Sequence, residues 1–231
     1  MKQLTVIQHT SSEYLGFLED HLEGRNIGFR YVRPFTEGVS VPRVSEIRDG
    51  LVLLGGGPWG AAGGRDVPTL AEEVALARYC LFQGLPLIGI GLGAQILAIA
   101  GEGSARPRPL AFEVGEARRL DPSALGGLMP ERFPLVVYMR DWPEPPAYAR
   151  ILAADEAGRP AVFQLGERAF GFAAHPGFKA AIAEDLIMEF EEAPPAPAAA
   201  LERLRGMRRD IEAALAPIAA GLVGALGLME P

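Results

Sequence analysis

The chain has 231 residues, enough for one large α/β domain with a small appendage. Hydrophobic residues make up 49% and charged residues 22%, as in a globular protein. The net charge of −7 gives no electrostatic basis for binding nucleic acid or an anionic membrane. Cys80 is the only cysteine, which excludes an internal disulfide and a cysteine-based structural zinc site. No metal and no cofactor is expected.

The first residues, Met1 to Ile7, run straight into a strand pattern without the features of a cleavable secretory peptide, so a cytoplasmic location is expected. Lysine occurs only at Lys2 and Lys179 and asparagine only at Asn26, a bias that suits a thermophile or a GC-rich genome equally. In chain order, Leu4 to Ile7 reads as a strand, and Thr10-Ser11-Ser12-Glu13 as a capping box opening a helix. Tyr14, Leu15, Leu18 and Leu22 fall on one face of that helix. Ile27 to Val32 and Leu51 to Leu54 are further strands, the latter ending in the loop Gly55-Gly56-Gly57-Pro58-Trp59-Gly60. A helix from Val67 to Phe82 and a strand from Leu87 to Ile90 follow, then a glycine-rich turn and a helix through Ala100. Strands alternating with helices predict a parallel sheet covered on both faces, with ligands beyond the carboxyl ends of the strands. Both glycine-rich loops lie at such ends.

From Ala111 the character changes. Short runs at Glu113–Leu120, Leu135–Tyr138, Ile151–Ala154, Val162–Leu165 and Ala169–Ala174 lie close together and predict a β-ribbon added to the sheet. A helix from Lys179 to Glu191 closes a first domain over residues 1–192. Residues 193–231 form a Pro/Ala linker and a helical tail with Leu201, Leu204, Met207, Ile211 and Leu215 on one stripe. Residues 213–229 carry no charge, but Pro217, Gly221, Gly224 and Gly227 interrupt them. That favours a helix packed on the domain or on a partner subunit over a membrane span.

Two segments carry chemistry. Pro86 to Gln95 reads as strand, Gly-x-X-x-Gly turn and helix, the arrangement that displays a nucleophile at its middle residue. Here that residue is Gly91, which has nothing to react with. The second segment is Phe170-Gly171-Phe172-Ala173-Ala174-His175-Pro176-Gly177. Together with the Gly55–Pro58 loop, these segments resemble the class I glutamine amidotransferases across about the first 190 residues. In that family the elbow reads Gly-x-Cys-x-Gly-x-Gln and the late segment Gly-x-Gln-Phe-His-Pro-Glu. Gly89, Gly93, Gln95, His175 and Pro176 match; Gly91 stands for the nucleophile and Gly177 for the carboxylate.

The resemblance implies a three-layer α/β/α, flavodoxin-like fold with a mostly parallel sheet, an added β-ribbon and a C-terminal helical tail. It implies that a cysteine at position 91, His175 and a glutamate at position 177 would release ammonia from glutamine. Gly56, Gly57 and the Leu92 amide would form the oxyanion hole, and Gln95 would contact substrate. With two triad members missing, the expectation is a catalytically inactive amidotransferase-like protein with a binding or regulatory role. Its ligand would be a small carboxylate or amino acid, and its partner a separate synthetase or a second copy docked through the tail. An active hydrolase using an unrecognised nucleophile or activated water, and a structural interaction module, are the alternatives. The residues themselves leave other readings open: Gly89, Gly91 and Gly93 permit close strand–helix packing, Gly56 and Gly57 permit a tight turn, and His175 can be a structural histidine. His9 lies near the pocket by topology, and Cys80 is expected to be a small core hydrophobe.

Overall fold

The computed structural model describes residues 1–229. Its first half alternates as expected: β1 (Gln3–Ile7), α1 (Leu18–Glu23), β2 (Gly28–Val32), β3 (Gly50–Leu53), α2 (Leu70–Gln83), β4 (Leu87–Ile90) and α3 (Leu92–Ala100). The second half contains β5 (Ser104–Arg106), β6 (Ala111–Arg119), β7 (Arg132–Met139), β8 (Trp142–Glu144), β9 (Arg150–Asp155), β10 (Pro160–Leu165) and β11 (Ala169–Phe172). It ends in α4 (Ala180–Glu189), α5 (Pro197–Gly206) and α6 (Arg208–Ala225).

Nine strands form one sheet in the order β2-β1-β3-β4-β11-β10-β9-β6-β7. From β2 to β11 each pair is parallel; from β11 to β7 each pair is antiparallel. The four-residue runs of β3, β4 and β11 are buried throughout, the signature of central strands covered on both faces. The last of the short runs therefore does not belong to the ribbon. It returns to the parallel core beside β4, and the ribbon continues the same sheet. The pair β5–β8 forms a separate two-stranded sheet that the sequence reading did not contain.

One face packs on α1 and α6, with Leu18, Leu22, Leu215, Ile218 and Leu222 against Val6, Val52, Ile88 and Phe172. The other packs on α2 and α3, through Val74, Ala77, Cys80, Ile96 and Leu97. A third cluster seats α4 and α5 on β6 and β7 around Phe112, Phe178 and Leu186. Within the tail stripe Leu204, Ile211 and Leu215 are buried and Leu201 and Met207 half-buried. No described helix is long and apolar enough to cross a membrane.

The helix expected from the Thr10–Glu13 box does not begin there. Only half of the box forms, the Glu13 amide donating to Thr10 Oγ1 at 3.0 Å. The Glu13 side chain turns inward instead, the chain stays irregular, and α1 starts at Leu18. A helix over residues 11–17 would carry this carboxylate away from the glycine loop.

Candidate functional site

The turn after β4 is a nucleophile elbow in its backbone. Gly91 has φ 57° and ψ −114°, a conformation costly for any residue with a Cβ. Its amide donates to Phe172 O at 2.8 Å, tying the elbow to β11. A Cβ at position 91 would meet Gly55 Cα at 3.3 Å. Thus Gly91 faces the glycine loop as the sequence predicts, and the Leu92 side chain packs on Gly56. Gln95 donates from Nε2 to Arg140 O at 2.7 Å and toward Met139 Sδ, while its Oε1 is buried without a partner.

His175 sits in a different arrangement. Its Nε2 lies 2.7 Å from Tyr14 O, and its Nδ1 accepts the Gly177 amide at 3.1 Å. Because the Gly177 N–H is a donor, Nδ1 is the acceptor and Nε2 carries the proton. Both ring nitrogens are thus taken by backbone. Burial lowers the His175 pKa to about 4, despite the opposing bond to Tyr14, so the ring is neutral at pH 7. At position 177 a Cβ would fall 2.8 Å from Leu18 N and 3.0 Å from Leu15 O. The backbone of residues 15–18 fills the space a carboxylate would need, and Phe17 N donates to Gly177 O at 2.9 Å. His175 and Gly177 come together with the 14–18 loop, and no hydrogen bond joins either to Gly91.

Three acidic side chains that sequence reasoning did not select organise the rest. Glu13 is buried, its carboxyl group packed on Gly55, with Oε2 accepting the Gly57 amide at 3.3 Å. Burial raises its pKa to about 7, while the Gly57 bond and His9 pull the other way. His9 bridges Gly55 O, 3.1 Å from Nδ1, and Glu73 Oε2, 2.7 Å from Nε2. Burial lowers the His9 pKa, but the charge and hydrogen bond of Glu73 override it and leave it raised. Thr69 donates to the other oxygen of Glu73 at 2.6 Å. Asp141, third of the set, accepts the amides of Ala61, Ala62 and Arg108 at 3.1, 3.1 and 3.0 Å. Neighbouring Arg140 donates to Pro58 O at 3.0 Å and pairs with Glu192. These contacts clamp the glycine loop from both sides.

The C-terminal end of α4 covers the same loop. Glu189 accepts the amides of Ser11 and Ser12 at 2.9 and 3.1 Å. Tyr138, in the segment where relatives carry His-x-Asp, has a buried hydroxyl without a partner; burial, then the charges of Glu13 and Glu192, push its pKa up to about 12.

No family model matches the chain, and no curated protein sequence does. Solved structures do match. A glutamine amidotransferase from Thermotoga maritima is 24% identical and superposes with a TM-score of 0.79, over 97% of this chain and 98% of that one. A glutamine amido transferase from Methylobacillus flagellatus is 24% identical with a TM-score of 0.80, over 99% and 95%. At this identity the likeness speaks to architecture, and the architecture of this chain is the class I glutamine amidotransferase fold.

Proposed function

We propose that this chain is a catalytically inactive glutamine amidotransferase-like protein whose elbow serves binding or regulation. The observation that carries the reading is the state of His175: buried, neutral, both ring nitrogens held by backbone, beside a position 177 with no room for a carboxylate. With Gly91 at the elbow, neither nucleophile nor base of the thiol mechanism is in place. The occupied glycine loop agrees with it, because Glu13 already supplies a carboxylate to Gly57. A small carboxylate or amino-acid ligand would reach the Gly57 amide only by displacing that group. A separate synthetase, or a second copy of the chain in the cytoplasm, is the partner such a role calls for.

Hydrolysis by activated water is the second reading, and one observation favours it. Glu13 has a pKa near 7 beside the loop that would polarise a carbonyl, which suits a general base. One assay separates the two. Purified protein incubated with glutamine should release ammonia only at background rate. Release above background that disappears in Glu13→Gln or His175→Ala would overturn the inactive reading.

A further inference from the structure

Away from the elbow, a cavity of about 430 Å³ lies where β1 and β2 meet the turn at residues 44–46. It is within the size range of small-molecule sites. Gln3, Thr5, Arg30, Ser45, Glu46 and Arg48 line it. Thr5 and Arg30 are cross-strand partners in the parallel β1–β2 ladder, and Gln3 shares the face of Thr5 while Leu4 and Val6 point into the core.

The charges here are unlike those elsewhere in the molecule. In a chain of net charge −7, most arginines sit against a carboxylate or a carbonyl. Arg30 and Arg48 have no hydrogen-bond or ion-pair partner among the described residues. The carboxylates close by are already engaged: Glu46 accepts the Arg43 amide at 2.7 Å, and Asp49 accepts the Gln3 amide at 2.9 Å and lies 3.5 Å from Lys2. At the floor is Thr5, 4% exposed, its hydroxyl unpartnered within the protein. A buried hydroxyl is ordinarily paired, so one opening on a cavity marks a place where a ligand completes the bonding.

The chemistry of this lining is specific. Two guanidiniums present planar donor forks that match a phosphate. The hydroxyls of Thr5 and Ser45 and the Gln3 amide donate and accept, which suits a body rich in hydroxyl groups. A bare phosphate would leave most of the volume unfilled, and an apolar body would leave these groups unpaired.

We propose that this cavity binds a small phosphorylated sugar or polyol, its phosphate between Arg30 and Arg48 and its hydroxyls against Thr5, Ser45 and Gln3. The site is independent of the elbow and of the function proposed for it. Titration calorimetry of the full chain with glucose 6-phosphate, glucose and inorganic phosphate tests it. The expected result is saturable one-to-one binding of the sugar phosphate, weaker binding of phosphate and none of glucose. Arg30→Gln and Arg48→Gln, both at exposed side chains, should each weaken binding about tenfold or more. Thr5→Val should weaken it by a smaller factor, with Arg78→Gln as an unaffected control. Absence of saturable binding at millimolar ligand, equal affinity for phosphate and sugar phosphate, or affinity unchanged in Arg30→Gln/Arg48→Gln would each overturn the assignment.

Discussion

Glu13 shows how one side chain trades stability for position. An unfolded chain ionises this carboxyl near pH 4.5, whereas the folded chain holds it protonated until about pH 7. Folded-state protonation is therefore favoured, and the sign follows. Below pH 4.5 both states are neutral and burial carries no charge penalty. As pH rises through 7 the folded state must carry a buried anion, and stability falls by about 3 kcal/mol from this group alone. Glu13→Gln keeps an oxygen for the Gly57 amide and removes the ionisation. Chemical denaturation between pH 4.5 and 8 should show the variant gaining on the parent as pH rises, with little difference at the acid end. A constant difference across that range would show that Glu13 is not the titrating group. His9 moves oppositely: its raised pKa means its contribution is lost as pH increases past neutrality, so both groups favour the mildly acidic side.

At the scale of the element, the strand–turn–helix of β4 and α3 keeps a strained geometry that no nucleophile now needs. Gly91→Cys would place a thiol 3.3 Å (at its Cβ) from Gly55 Cα in a left-handed conformation, at a cost of about 1–3 kcal/mol. The variant should fold, melt a few degrees lower, and still release ammonia from glutamine only at background. Substantial turnover from that single change would mean His175 can leave Tyr14 and act as base. The elbow was legible in sequence because its glycines, flanking apolar runs and following helix are all local. Gly91, Leu92 and Gly56 were therefore placed together correctly. What could not be read was the surroundings of His175 and Glu13. Thr10–Glu13 obeys the local rule for a helix start, yet contacts 44 residues away, at Gly57, decide where Glu13 points. Equally, the Ala169–Phe172 run looks like its ribbon neighbours; only its pairing with Leu87–Ile90 assigns it to the parallel core.

The whole molecule depends on its last helix. α6 covers the sheet face that α1 alone would leave open, and Leu215, Ile218 and Leu222 are each at most 2% exposed in the cluster containing Val52, Ile88 and Phe172. Arg168, just ahead of β11, donates to Leu226 O, so backbone at the end of the tail is tied to the central sheet. A stripe used inside the molecule differs in consequence from one reserved for a second copy. If the tail serves the chain's own core, Leu215→Ala opens a cavity and costs about 2–5 kcal/mol. At roughly 2–4 °C per kcal/mol for a chain of this size, the melting temperature should drop by several degrees to well over ten. That drop should be the same at every protein concentration. If the stripe chiefly joins two copies, mass action makes the melting temperature of the parent rise with concentration, and Leu215→Ala abolishes that dependence. Thermal melts of both proteins across a wide dilution series, with sedimentation to follow mass, distinguish the two, and the burial of Leu215 predicts the first outcome.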